Sequence, residues 1–259
     1  MFDTHSHLHF SDYDSDREEV ILRSRENGVK YLINVGISFE DSKKALILAQ
    51  KHSFIYAAVG VHPHYSNSEK AFGEFEELVK DKKTVAIGEV GLDYFRNPIS
   101  KEIQQRVFRQ FVCLAKSSNL PLIIHSRLDS SQSFSNGNAY SDALKILQEE
   151  KVRRGVFHCF GGDKEIAKQI LEQGFFISFT GNLTFPNAQK IREVADFIPL
   201  EKILLETDCP FLAPQQKRGK RNEPSYVKYV AETLSGIKSV SFEEVVKTTT
   251  ENAKGLFEI

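Results

Sequence analysis

Apolar residues group in two ways along this chain. Short, nearly continuous runs rich in Val, Ile and Phe alternate with longer stretches spaced at three and four residues. The short runs span Met1 to His7, Tyr31 to Gly36, Ile55 to Val61, Val85 to Gly91, Pro121 to Ser126, Gly155 to Phe160, Phe175 to Gly181 and Ile203 to Asp208. Their lack of clean polar–apolar alternation predicts strands buried on both faces. The longer stretches predict helices over Arg17 to Asn27, Asp41 to Lys51, Lys101 to Ser118, Tyr140 to Glu150, Lys164 to Gln173, Ala188 to Phe197, Pro224 to Leu234 and Phe242 to Phe257. In the first, Val20, Ile21 and Ser24 share a face, and Gly28 follows as a stop.

Eight strand-then-helix units predict an α/β fold, a (β/α)8 TIM barrel formed as one domain over 1–259, with an extra C-terminal helix at its bottom or side. A doubly wound open sheet is the alternative. It would gather its polar residues at one switch point, whereas here they recur at the strand ends around the whole series. Two loops stand out: Arg127 to Ala139, rich in Ser, Asn and Gly and expected to be mobile, and Pro214 to Asn222, the most basic stretch.

Composition narrows the function. The 259 residues carry 34 basic and 35 acidic side chains. No global positive field exists to hold nucleic acid, so a polyanionic substrate needs local contacts or metal ions. Three widely separated cysteines without a CxxC pair predict a reduced protein, and no leader or membrane-spanning run is apparent, so a cytoplasmic location with no membrane partner is expected.

The strand ends carry the candidate chemistry. His5 and His7 lie two apart, so in a strand both rings project to one side. Glu89 sits among apolar residues with glycines on either side, where a lone carboxylate is costly unless paired or metal-bound. His125 ends the fifth strand, His158 the sixth, and Glu206, Thr207 and Asp208 the eighth. Each alone reads equally as a hydrogen-bonded core residue. Four histidines and two or three carboxylates at one end of one barrel suit a divalent ion such as Zn²⁺ or Mn²⁺.

The segments THSHLHF, GVHPH, GEVGLDYF, IIHSR, FHCFGG, FTGNLTF, LLETDCPFLAP and RNEPSYV resemble the TatD family of metal-dependent deoxyribonucleases, within the amidohydrolase-like metallohydrolases. The resemblance runs from Met1 to the final helix. It implies a TIM barrel with two divalent cations (Mg²⁺, Mn²⁺ or Zn²⁺) and hydrolysis of DNA phosphodiester bonds, often from a 3′ end, by a water activated between the ions. RNA is a possible second substrate, and no obligatory protein partner is expected. Carried over by position, the family pattern gives a first metal held by His5, His7, Glu89 and Asp208. A second is held by Glu89, His125 and His158, with Glu89 bridging. Where related enzymes often use a carboxylated lysine, Glu89 supplies the carboxylate directly. One departure is visible: Arg127 is followed by Leu128, Asp129 and a long polar insertion in place of the family's Arg-Asp/Glu-Ala run.

Asp208 is expected both to ligate and to take or orient the proton of the attacking water, making Asp208 and Glu89 the catalytic pair. His62 and His64 either contact a phosphate or leaving group or belong to a Pro-centred turn. Arg127 either clamps a phosphate or pairs with Asp129. Lys217, Arg218, Lys220 and Arg221 are either a solvated loop or a rim tracking the DNA backbone. Asp93 and Tyr94 are expected to orient Glu89, and Glu206 to support the site or accept a structural hydrogen bond. Cys159 and Cys209 neighbour ligands by one position and are expected to point away as packing residues. The same barrel and ligands also suit amides, lactones or other phosphoesters, and a non-catalytic nucleic-acid-binding scaffold with a structural metal is a further reading.

Overall fold

The computed structural model describes residues 1–67, 73–95, 97–127 and 138–259. Eight strands, β1 (Phe2–Ser6), β2 (Tyr31–Val35), β3 (Ile55–Val59), β4 (Thr84–Asp93), β5 (Leu122–Arg127), β6 (Gly155–Phe157), β7 (Phe176–Phe179) and β8 (Ile203–Leu205), form one sheet in chain order. Every neighbouring pair is parallel. The ring closes between its ends. Ser6 bridges Cys209, the Asp208 N–H donates to the His5 carbonyl at 2.8 Å, and the His7 N–H donates to the Cys209 carbonyl at 2.8 Å. Closure removes both sheet edges, and the expected TIM barrel is the fold.

Alternating strand positions feed two cores. Ile33, Val35, Ala58, Ala86, Ile123, Val156 and Leu204 form one cluster with Phe2. Leu32, Ala57, Val59, Ile87, Ile124, Phe157, Ile177 and Leu205 belong to a larger one with the helices. The smaller cluster fills the barrel, as layered side chains do in this fold. The helices are α1 (Arg17–Glu26), α2 (Phe39–Lys51), α3 (Phe75–Leu78), α4 (Lys101–Ser118), α5 (Ala139–Glu150), α6 (Lys164–Glu172), α7 (Gln189–Phe197), α8 (Val227–Lys238) and α9 (Phe242–Phe257). The extra helix α9 sends Ala253, Leu256 and Phe257 into the inner cluster, and the Phe257 ring lies 6.1 Å from that of Phe2 at the N-terminal end of β1. It therefore plugs the end of the barrel opposite the polar strand ends.

Several boundaries differ from the sequence-based expectation. The helix α3 is a single turn between β3 and β4, too short to show a period. Pro224 opens a 3-10 turn, Pro224–Tyr226, ahead of α8 rather than α8 itself. The strands β1, β6 and β8 stop one to three residues short of His7, His158 and Asp208. Those residues leave the ladder because they turn inward over the barrel mouth. Cys159 (φ 45°) and Asp208 (φ 54°) adopt left-handed backbone there, a conformation costing roughly 1–2 kcal/mol for a non-glycine residue. The expectation of a mobile loop after Arg127 falls on 128–137, outside the described residues. No helix among the described residues is long and apolar enough to cross a membrane.

Candidate metal centre

The six expected ligands converge at the C-terminal mouth of the barrel. His5 Nε2 and His7 Nε2 lie 3.2 Å apart. Asp208 Oδ1 is 3.7 Å from the first and 3.4 Å from the second. Glu89 Oε2 is 3.3 Å from His5 Nε2 and 3.9 Å from His7 Nε2. The other oxygen of the same carboxylate, Oε1, faces a second group. It is 2.7 Å from His125 Nδ1 and 2.8 Å from His158 Nε2, and those two nitrogens are 3.3 Å apart. Glu89 thus divides its oxygens between two donor sets.

These contacts fit cations better than protons. One proton bridges two acceptor atoms, whereas here each pair of imidazole nitrogens is joined by carboxylate oxygens of Glu89 or Asp208, and a cation takes lone pairs from all of them at once. Donors bound to a zinc-like ion at about 2.0–2.2 Å stand roughly 3.4 Å apart in a tetrahedron, close to the 3.2–3.9 Å separations of the first set; in the second the Glu89 contacts, at 2.7 and 2.8 Å, are tighter. Neutral imidazoles and carboxylates are the donors such ions take.

Neighbouring groups aim the rings. The His7 Nδ1–H donates to the Val35 carbonyl at 2.7 Å, which leaves Nε2 free to ligate. The His125 Nε2–H donates to Asp93 Oδ2 at 3.1 Å. Behind His158, Nδ1 lies 3.5 Å from Glu206 Oε1. Fully buried Glu206 also accepts from the Cys159 N–H at 2.7 Å and the Ser178 hydroxyl at 2.8 Å. Burial alone would raise the Glu89 carboxyl, but His158 and the hydrogen bond from His125 override it and hold it well below its ordinary value. Burial opposes His7 and His5 at Asp208 in the same way, and the histidines prevail. Both carboxylates are therefore held as anions.

The remaining expectations divide. Asp93 supports His125 rather than Glu89, and it also meets His64 Nε2 at 3.1 Å. Tyr94 turns away from the site, its hydroxyl donating to Asp142 Oδ2 at 2.9 Å. His62 is drawn into the centre, with Nε2 3.3 Å from His125 Nδ1 and 3.5 Å from Glu89 Oε1. Burial lowers its pKa to about 3, so it faces the cleft as a neutral ring. Cys209 is buried as expected. Cys159 is only partly so, and lines the cleft because the left-handed turn breaks the strand alternation. Burial, then Asp208 and Glu206, push its thiol well up, which disfavours a thiolate nucleophile.

The rim is less uniformly placed. Arg127 lines the cleft with its guanidinium 4.3 Å over the Phe95 ring, while Asp129 lies outside the described residues. In the basic loop, Arg221 is committed to Asp16 Oδ2 at 2.6 Å and lies 4.3 Å over Tyr13. Arg218 sits over Phe185 and Lys217 over Tyr226, and Lys220 is exposed. None of the four lines the cleft.

Three residues in or beside the site are not singled out by the sequence reading, although THSHLHF holds His9 and Phe10 and LLETDCPFLAP holds Phe211. Phe10 and Phe211 line the cleft, which has a volume of about 900 Å³. Each stands three positions after a ligand, a spacing that was visible but had no meaning without the turns. His9 is the third. It continues the His5–His7 alternation but sits off the strand, with Nδ1 3.0 Å from Asn34 Oδ1 and Nε2 2.8 Å from Asp41 Oδ2. Burial alone would raise the Asp41 carboxyl; His9 and the Ile37 N–H outweigh it and hold it low. A depressed carboxyl contributes stability above its unfolded pKa and loses it as pH falls through the folded value. Asp41→Asn is expected to cost about 1 kcal/mol near neutral pH. The gap to the wild type should narrow in acid, as read from urea unfolding across pH.

The sequence family described as TatD related DNase matches residues 2–258. A Bacillus subtilis protein named uncharacterized metal-dependent hydrolase YabD is 45% identical over 263 residues, covering 100% of this chain and 99% of its own. A protein of Erwinia tasmaniensis named 3′-5′ ssDNA/RNA exonuclease TatD is 32% identical over 269 residues, covering 100% of both. Among solved structures, the TatD homologue YjjV of Escherichia coli superposes with a TM-score of 0.91 at 29% identity, covering 100% of this chain and 98% of that one.

Proposed function

The chain belongs to the family of TatD-related DNases and is a metal-dependent hydrolase, and from that premise we propose that it cleaves DNA phosphodiester bonds from a 3′ end at a centre of two divalent cations. His5, His7, Glu89 and Asp208 would hold one cation, and Glu89, His125 and His158 the other. The observation that carries this reading is the split of one buried carboxylate, Glu89 Oε2 toward His5 and Oε1 toward His125 and His158. A single structural ion would not need both oxygens of a carboxylate aimed at separate donor sets. The 3′-5′ exonuclease name of the Erwinia relative, aligned end to end with this chain, supports the direction of attack.

When bound, two such cations supply charge neutralisation of the phosphate and a water acidified to near neutrality. The protein's own groups do the rest. Asp208 Oδ1 faces both His5 and His7 from a partly exposed position in the cleft, so it is placed to orient a water and accept its proton. His62, neutral and edged against Glu89 and His125, is placed to meet a phosphate oxygen or the leaving oxygen. The fit of the donor set to Zn²⁺ or Mn²⁺ follows from its four or five imidazoles.

The test is a substrate panel of single- and double-stranded DNA, RNA, p-nitrophenyl phosphodiesters and lactones, assayed with metal and again after chelation. Chelator-sensitive release of 5′-mononucleotides from a 3′ end is the expected result. Turnover of lactones but not nucleic acids would overturn the reading. Asp208→Asn should lower kcat by about 10²–10⁴-fold; full activity in that variant would remove its proton-handling role.

The rim makes a separate prediction. With Arg221 tied to Asp16, the charges left to meet a strand are Lys217, Arg218 and Lys220. Replacing those three by Ala should weaken oligonucleotide binding and flatten its salt dependence by about one in log–log slope for each phosphate that is no longer neutralised. An unchanged slope in a salt titration would assign the loop no role along the backbone.

A further inference from the structure

We propose that Phe10 and Phe211 form a stacking shelf for one unpaired nucleobase beside the metal centre, an inference that rests on the nucleic-acid reading above. Phe211 is 53% exposed, one of the few large apolar side chains left open to solvent among the described residues. Leaving a phenyl ring in water forgoes burial of its apolar area. It is not slack in a loose loop. The Phe211 N–H donates to the Asp208 carbonyl at 3.0 Å, and its own carbonyl accepts from Asn222 Nδ2 at 2.6 Å. Asn222 is fully buried and also donates to the Thr207 carbonyl at 2.9 Å. The ring is exposed while its backbone is fastened, which is how a preorganised contact surface is built.

Phe10, half-buried on the neighbouring segment, is fastened at its backbone too. Its N–H donates to the His7 carbonyl at 3.0 Å and its carbonyl accepts from Arg17 Nη2 at 3.0 Å. The Phe10 ring lies flat against His7, centroids 4.7 Å apart and planes 14° apart, and Phe211 meets it edge-on at 6.3 Å. Two ligands, His7 and Asp208, thus each carry an aromatic ring three residues on, and both rings line the cleft.

The shelf selects the shape of its occupant. At one end are donors that would hold cations and, through them, an anion; beside them stands the exposed face of Phe211, its ring centroid 6.2 Å from that of His7, with Phe10 buttressing it edge-on. A nucleotide has that construction: a phosphate joined through a sugar to a planar base. Stacking is tolerant of base identity because every base presents a π-face. Bases inside a duplex are already stacked and paired, so only a single-stranded or frayed end can use the shelf. The shelf therefore favours unpaired ends, in keeping with the single-stranded substrate in the name of the Erwinia relative; what it adds is where this chain would hold the terminal base, at Phe211 backed by Phe10.

The test uses the metal-loaded full chain and steady-state kinetics on single-stranded oligodeoxynucleotides. Phe211→Ala and Phe211→Leu should each raise KM about tenfold with kcat changed little, and Phe211→Tyr should restore the wild-type KM. Leucine keeps apolar bulk without a π-face, so it also covers the case of an alanine variant that folds poorly. Wild type acting on an end whose terminal sugar lacks a base should show the same rise. Wild-type KM in both Phe211→Ala and Phe211→Leu, or an unchanged KM on the base-free end, would overturn the shelf while leaving the nuclease reading intact. If the wild type cleaves no oligonucleotide at all, the nuclease reading falls first and the shelf falls with it.

Discussion

Glu89→Gln should lower kcat on oligonucleotides by about 10³-fold or more and should reduce the metal bound per chain. The amide keeps the size and shape of the carboxylate, so packing in β4 is retained. What changes is the donor chemistry. One oxygen becomes an NH₂ group that has no lone pair to offer and carries two donated protons. Whichever way the amide flips, it presents those protons either to His5 across the present 3.3 Å or to His125 and His158 across 2.7 and 2.8 Å. The negative charge shared by both donor sets is lost at the same time. Far-UV circular dichroism and metal content measured on the same sample separate this effect from misfolding. A folded Glu89→Gln protein with full metal and wild-type turnover would remove Glu89 from the bridging position and the two-cation proposal with it.

Gly91→Ala should be the most damaging single substitution for folding among the strand residues near the site. Gly91 pairs with His125 across β4 and β5 and has φ +148°. A Cβ placed there would overlap the backbone carbonyl oxygen and carbon of His125, which cannot swing aside as a side chain can. The backbone conformation is itself open in practice to glycine alone. Overlap and strain together place the cost at about 3–5 kcal/mol, in the tail of single-residue effects. Any relaxation must push β5 away and carry His125 from Glu89. Thermal unfolding and metal affinity should therefore fall together. A melting temperature close to that of the wild type would show that the β4–β5 packing is looser than this register requires.

How much of this was legible in the chain can be followed residue by residue. The strand runs were readable because strands buried on both faces need continuous Val, Ile and Phe, and the barrel followed from their regular alternation with helical periods. The His-Ser-His pair, Glu89 between glycines, and histidines ending two later strands were readable as chemistry. Each is polar where burial would otherwise exclude it. The single turn α3 left no periodic trace, and the ends of β6 and β8 were overrun because residue type does not mark where the ladder stops: Phe160 lies beyond β6, and the polar Glu206, Thr207 and Asp208 follow β8. Cys159 departs from the expectation because strand alternation stops at its left-handed backbone. Tyr94 departs because its hydroxyl finds Asp142 on α5, a partner far away in the chain.

The sequence by itself determined the order of elements and the polar residues that gather at one end of the barrel, because these depend on residue type and local period; the resemblance to a family then picked His5, His7, Glu89, His125, His158 and Asp208 from among them as the expected ligands. Only the tertiary structure decided how Glu89 divides its oxygens, that Asp93 steadies His125, that Arg221 is occupied by Asp16, and that Phe10 and Phe211 meet. Those are distances between residues far apart in the chain. They are set by how eight strands close around a filled interior, with Ser6 bridging Cys209, and no local pattern encodes the radius of that closure.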